Sequence, residues 1–198
     1  MKKLLMIVPF VLLFIFFSCK KDLTPTEREI AVIETEYGNI VVDFFENVAP
    51  NHVAAIKTLI SEKFYDSLYF HRIVPGFVIQ AGDPNTRDND RTNDGMGQPW
   101  QPTIDAEFSK IPHKRGILSM ARKGHDINSG TSQFFICVAN APSLDNQYTI
   151  FGKVIEGMDV VDKIVSVERD NKDNPIEHIY MKIYLEKKII VPSEENIN

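Results

Sequence analysis

The apolar residues of this chain come mostly in short β-branched and aromatic runs cut by Gly, Pro and Asn, and that spacing restricts its fold most. Residues 31–36 and 40–45 flank Tyr37-Gly38-Asn39, the pattern of a hairpin. Further runs occupy residues 69–73, 77–81, 116–121, 134–138 and 150–154, and residues 176–185 alternate well enough for a closing strand. Only two segments carry a helical period. Residues 49–62 place Pro50 near the first helical position, where its missing N–H costs little. Val53, Ile56, Leu59 and Ile60 then fall on one face. Residues 157–165 align Met158, Val161 and Ile164 in the same way. Many short strands with two helices predict an all-β fold, a barrel rather than an α/β sandwich. No internal repeat is visible.

At 198 residues the chain has room for one domain, and its 43% hydrophobic and 25% charged residues exclude wholesale disorder. Lys2 and Lys3 precede an unbroken apolar run, Leu4 to Phe17, of 14 residues. That is the layout of a signal peptide, and it is short of the ~20 residues a spanning helix needs. Ser18-Cys19-Lys20-Lys21-Asp22 follows. This junction resembles the lipobox of bacterial lipoproteins, whose signal is cut before a cysteine that then carries lipid. The same residues also fit an ordinary secretory signal followed by a cysteine. Acylation at Cys19 would anchor the chain, since each buried CH₂ adds ~0.8 kcal/mol. The expected layout is therefore a signal peptide over residues 1–18 and a lipidated Cys19 with a polar tether to residue 29. A domain over residues 30–188 and a frayed tail over 189–198 complete it.

Cleavage before Cys19 removes Lys2 and Lys3 and lowers the net charge by two, from −5 to −7. No basic patch marks a nucleic-acid binder, and the acidity suits a body held beside a membrane. The place expected from these features is the periplasmic side of a bacterial envelope, with surface exposure a further option. Nothing in the sequence points beyond a monomer. The second cysteine, Cys137, sits in Phe134-Phe135-Ile136-Cys137-Val138 and reads as a buried small hydrophobe. Residues 83–100 form a long polar loop with Asp83, Asp88, Asp90 and Asp94. Counted from Asp88, position 6 is Asn93 and position 12 is Pro99, so the EF-hand pattern fails. The loop reads as a solvated surface, and no metal site is assigned to it.

Two polar residues sit awkwardly in strand-like runs: Arg72 and Gln80, on either side of the Pro75-Gly76 turn. A hairpin across that turn brings them together, and a surface salt bridge for Arg72 is the alternative. Strict alternation puts Phe70 with Arg72 on one side and His71 with Ile73 on the other. On that pattern His71 packs away from Arg72. Ser119 and Ser132 have no local base, so hydrolase chemistry has little support.

Three blocks then identify a family. They are Phe70 to Asp83 (FHRIVPGFVIQAGD), GILSMA from Gly116 with SQFFI from Ser132, and Leu144 to Ile164 (LDNQYTIFGKVIEGMDVVDKI). In order and spacing they resemble the cyclophilins, the peptidyl-prolyl cis-trans isomerases, over about residues 31 to 186. The resemblance implies a closed eight-stranded antiparallel barrel capped by two helices, with a groove on its outer face. It maps the catalytic arginine onto Arg72 and the glutamine beside it onto Gln80. It maps the proline pocket onto Phe77, Val78, Phe135 and Leu144, with Tyr148 where many members carry His. The backbone-binding stretch falls on Ala121, Arg122 and Lys123. The implied substrates are proline-containing polypeptides, and no cofactor is implied. Ser143 stands where eukaryotic members often have Trp. A binding or chaperone module with incidental catalysis is the alternative reading of the same fold.

Overall fold

The computed structural model describes residues 24–88 and 90–190. The expected signal run and Cys19 lie outside the described residues, as does the tail beyond residue 190. The elements are β1 Thr26–Thr35, β2 Gly38–Phe44, α1 Pro50–Ser61, β3 Leu68–Tyr69, β4 Arg72–Val74 and β5 Val78–Ala81. They continue with β6 Ile117–Met120, β7 Phe134–Cys137, β8 Ile150–Glu156, α2 Met158–Val165 and β9 Tyr180–Ile190.

The strands form one curled antiparallel sheet in the order β3-β9-β1-β2-β8-β6-β7-β5-β4. Its two end strands, β3 and β4, are neighbours in the chain. Only Phe70 and His71 separate them, and their amides reach opposite ends of the sheet: Phe70 bonds Ile179 O and His71 bonds Gln80 O. The expected eight strands are matched when β3 and β4, one run interrupted at these two residues, are counted together. A register shift at Leu118/Ser119 against β8 helps the curl.

The interruption has a packing cause. Leu68, Phe70 and Ile73 all join the main core cluster, so the period of two breaks between Phe70 and Ile73. The same core takes Val53, Ile56 and Ile60 from α1 and Val160, Val161, Ile164 and Val165 from α2. Each such burial is worth about 1.5–3 kcal/mol. A second apolar cluster, with Val78, Ile117, Phe135, Cys137 and Leu144, lies on the other face of the same strands.

The domain is longer at its edges than the sequence pattern suggests. Residues 26–29, expected in the tether, are strand, and β9 runs on to Ile190 rather than ending near residue 185. Thr26 pairs with Ile190 and Glu29 with Lys187. Polar residues hide this ribbon from an apolar count, because ion pairs dress it: Arg28 bonds Asp43 at 2.9 and 2.7 Å, and Lys57 reaches Glu29 at 2.8 Å.

The N-terminus of α1 has no side-chain cap of its own. Glu107, far along the chain, supplies one. Its carboxylate accepts from the amides of Asn51 (3.1 Å) and His52 (3.0 Å) and lies 2.6 Å from His52 Nδ1. These amides would otherwise be orphaned, and an anion suits this end of a helix. Burial pushes the Glu107 carboxyl up, but the bonds from His52 and Asn51 together outweigh it and hold it below its usual range. A depressed carboxyl stabilises the fold above its unfolded pKa, and that contribution disappears as pH falls through the folded one. Glu107→Gln is therefore expected to cost about 1 kcal/mol at pH 7. The gap from wild type should narrow as pH falls below the ordinary glutamate pKa of about 4.3 and close once it passes beneath the depressed folded one. Urea unfolding at both pH values reads this directly.

Candidate active site

Register assembles the site. Arg72 pairs with Gln80, Gln80 with Phe135, and Phe135 with Ser119. Directly paired residues share a face of the sheet, so the four form one row on the side away from the main core. Arg72 Nη1 lies 3.5 Å from Gln80 Oε1, a long contact. Gln80 Nε2 donates to Gln133 Oε1 at 3.0 Å, and Gln133 Nε2 donates to Gly95 O at 3.1 Å. The half-buried guanidinium also sits 6.0 Å from the centroid of the Phe77 ring.

A concave pocket of about 180 Å³ opens beside this row. Arg72 and Gln80 form one wall, and Phe77, Val78, Phe135 and Leu144 supply apolar surface. Ala121, Arg122 and Tyr148 complete it. The structure thus brings nine of the ten residues mapped from sequence to one cavity, and the tenth, Lys123, lines the neighbouring one. Tyr148 meets Phe135 edge to face at 5.5 Å and 82°. The Arg122 guanidinium lies 4.6 Å from the Tyr148 centroid and donates to Gln147 O, Lys123 O and Gly124 O. The amides of Ala121 and Lys123 are taken by Gln133 O and Ser129 Oγ. The Arg122 amide has no partner among the described residues.

Two further cavities flank the pocket. One, of about 280 Å³, shares Gln80, Ala121 and Arg122 and reaches Lys123 and Met96. The other, of about 340 Å³, shares Arg72 and Gln80 and is also lined by His71. Here the structure corrects strict alternation. The break after Phe70 puts His71 against the same cavity as Arg72 rather than away from it. His71 is nonetheless buried, and neither ring nitrogen has a partner among the described residues. Burial, with the Arg72 charge beside it, pushes its pKa down to about 4, so the ring is neutral at pH 7.

The loop of residues 83–100 is less solvated than its composition suggests. Pro84, Asn85 and Thr86 are buried. Asp83 is buried too and accepts from the amides of Asn85 and Gly97, tying the loop's start to its far side. Asp88 and Asp90 cap local turns, and Asp94 accepts from Tyr69 Oη and Asn174 Nδ2. Gly82, at its base, has a φ of +91°, and a Cβ there would lie 2.5 Å from Ser132 O. Cys137 is fully buried, and burial with Asp145 pushes its thiol up to about 12, as suits a packed hydrophobe.

Beneath the pocket lies an arrangement that sequence reading missed. Ser119 Oγ is 3.0 Å from His113 Nε2, and His113 Nδ1 is 2.9 Å from Asp145 Oδ1. Burial outweighs the pull of Asp145 and holds His113 below its usual range. The neutral ring donates from Nδ1 to Asp145 and accepts from the Ser119 hydroxyl. No local spacing signals the set, because residues 113, 119 and 145 come from separate segments. It has the connectivity of a hydrolase triad. Ser119, however, is 0% exposed, so its oxygen cannot reach a substrate.

Comparison with known proteins bears on the whole domain. The family model described as cyclophilin type peptidyl-prolyl cis-trans isomerase/CLD matches residues 30–184. A Brucella abortus protein named "Probable peptidyl-prolyl cis-trans isomerase" is 42% identical over 137 residues, 67% of this chain and 69% of its own length. A Synechococcus elongatus peptidyl-prolyl cis-trans isomerase is 42% identical over 146 residues, 70% of this chain and 94% of its own. The crystal structure of a Cryptosporidium parvum cyclophilin type peptidyl-prolyl cis-trans isomerase in the presence of the dipeptide Ala-Pro superposes with a TM-score of 0.72. It shares 30% identity and covers 79% of this chain and 98% of its own.

The buried serine gives a sharp expectation. A fluorophosphonate probe, which labels accessible nucleophilic serines, should leave Ser119 unlabelled in the folded protein. Peptide mass spectrometry after treatment checks it, and a covalent adduct on Ser119 would revive the hydrolase reading.

Proposed function

This chain belongs to the cyclophilin-type peptidyl-prolyl cis-trans isomerases, and on that premise we propose that Arg72 lowers the X-Pro barrier by stabilising the twisted amide. Rotation about that bond meets a barrier of ~18–20 kcal/mol, set by amide resonance. No covalent bond forms or breaks. As the amide twists, the proline nitrogen regains a lone pair and becomes an acceptor. A donor placed there bonds the twisted form better than the planar one, and such a difference speeds a reaction. Guanidinium suits the task, with several fixed donors and a permanent charge. Arg72 would bond the proline carbonyl and approach the nitrogen, while Phe77, Phe135, Leu144 and Tyr148 hold the ring. Residues before the proline would lie along Ala121-Arg122. The observation that carries this reading is the Arg72 guanidinium, facing Gln80 Oε1 across 3.5 Å, at the rim of the pocket to which Phe77, Val78, Phe135 and Leu144 give apolar surface.

The test is the cis–trans exchange rate of a short X-Pro peptide with wild type, Arg72→Ala and Arg72→Lys. Removing one preorganised electrostatic donor is worth about 2.7–4 kcal/mol. Arg72→Ala should therefore lose on the order of 100-fold or more in kcat. Arg72→Lys should recover only part of that, because an ammonium lacks the planar fork. Full activity in a folded Arg72→Ala protein would overturn the mechanism. A folded wild type without activity would leave a binding module.

The proposed setting is the periplasmic side of a bacterial envelope, with exported chains as clients and Cys19 as the lipid anchor. Supporting it are the 14-residue apolar run and the Ser18-Cys19 junction. The early start of β1 makes the tether short. Only residues 20–25 separate Cys19 from Thr26. Fully extended they span about 20 Å, which holds the domain close to the surface. Cys19→Ser expressed in a lipoprotein-processing bacterium should lose fatty-acid label and leave the membrane fraction. A labelled, membrane-bound Cys19→Ser protein would exclude this anchor.

A further inference from the structure

The Ser119–His113–Asp145 chain cannot act on a substrate, yet it touches three elements that shape the pocket. Ser119 is the register partner of Phe135. The His113 ring lies nearly parallel to the Phe135 ring, with centroids 6.2 Å apart and 22° between planes. Tyr148 meets the same ring at a near right angle, so Phe135 has both rings as aromatic neighbours. Asp145 directly follows the pocket residue Leu144. Its Oδ1 accepts from both the amide (2.7 Å) and Nδ1 (2.9 Å) of His113, which latches the loop of residues 142–148 onto residue 113. The amide of Ala141 closes the latch by bonding His113 O at 2.8 Å.

We propose that His113, latched by Asp145, is a positioning residue that seats Phe135 and the Leu144–Tyr148 loop and so sets the width of the proline pocket. The latch joins residue 113 to the carboxylate of this loop by two bonds, and neither His113 nor Asp145 lines the cavity itself. Loosening it would free one face of Phe135 and let Leu144 move outward. The pocket grips the proline ring in the planar and twisted forms alike, so a wider pocket weakens both equally. Uniform loss of that kind raises KM and spares kcat. Arg72 acts in the opposite sense, since its proposed contact strengthens only in the twisted form. This inference rests on the isomerase reading for its kinetic part and on geometry alone for its seating part.

Asp145 is the place to test it, because its side chain is 28% exposed and truncation there opens no core cavity. Asp145→Ala is expected to raise KM for an X-Pro peptide about five- to tenfold, with kcat within twofold. Asp145→Asn keeps an accepting oxygen for the two His113 donors and should restore KM toward the wild-type value. Nuclear magnetic resonance gives the second readout. Ring-proton shifts of Phe135, which sense the stacked imidazole, should move in Asp145→Ala and return in Asp145→Asn. Unchanged KM with unmoved Phe135 signals overturns the proposal, as does a loss confined to kcat. If wild type shows no isomerase activity, the isomerase reading fails, and the ring shifts decide the seating: unmoved signals in Asp145→Ala overturn it, moved signals support it.

Discussion

Alternation in four adjacent strands, β4 to β7, is the constraint on which the site depends. In β5, Ile79 and Ala81 join the main core while Val78 joins the outer cluster. In β7, Phe134 and Ile136 go inward and Phe135 and Cys137 outward. In β6, Leu118 and Met120 are core, and Ile117 is outer. Antiparallel partners share a face, so one register aligns Arg72, Gln80, Phe135 and Ser119. A slip of one residue would turn that whole row toward the core. The large inward aliphatics therefore do two jobs at once. They fill the core, and they fix which side chains meet on the outer face.

Much of this was readable from the chain, because alternation and turn chemistry are local. The hairpin at Gly38-Asn39, the two helices, the buried Cys137 and the nine pocket residues all follow from short-range pattern joined to a family's ordered blocks. What was not readable depends on distant partners. Glu107 caps α1 from more than fifty residues away, and its own neighbours give no hint of it. His113 and Asp145 meet only because β6 and β7 stand side by side. The ribbon at residues 26–29 is polar, so a hydrophobic pattern passes over it, and only the ladder to β9 and its ion pairs reveal it. The break after Phe70 defeats alternation for a related reason: core packing demanded Phe70 and Ile73 together, and the backbone gave way between them.

The surroundings of Arg72 show how a charge can be held without being spent. Among the described residues no carboxylate forms an ion pair with its guanidinium. A carboxylate there would fix the side chain more firmly, but it would also cancel the charge that the proposed twisted amide needs. Neutral amides take that place. Gln80 faces Arg72, Gln133 holds Gln80, and the Gly95 carbonyl holds Gln133. The nearby carboxylate of Asp94 is bonded by Tyr69 and Asn174 instead.

That amide chain has a structural consequence for the loop of residues 83–100. Gly95 lies in that loop, and Asp83 pins the stretch by bonding the amide of Gly97. The buried Asp83 carboxyl is pushed up by its burial, against the pull of the amides that bond it. The loop's least solvated carboxylate therefore supports the segment on which the orientation of Gln80, and through it Arg72, rests. Its polar composition serves the site from behind: Asp83, Asp88 and Asp90 anchor backbone, and the backbone carbonyl of Gly95 begins the neutral relay that ends at the guanidinium.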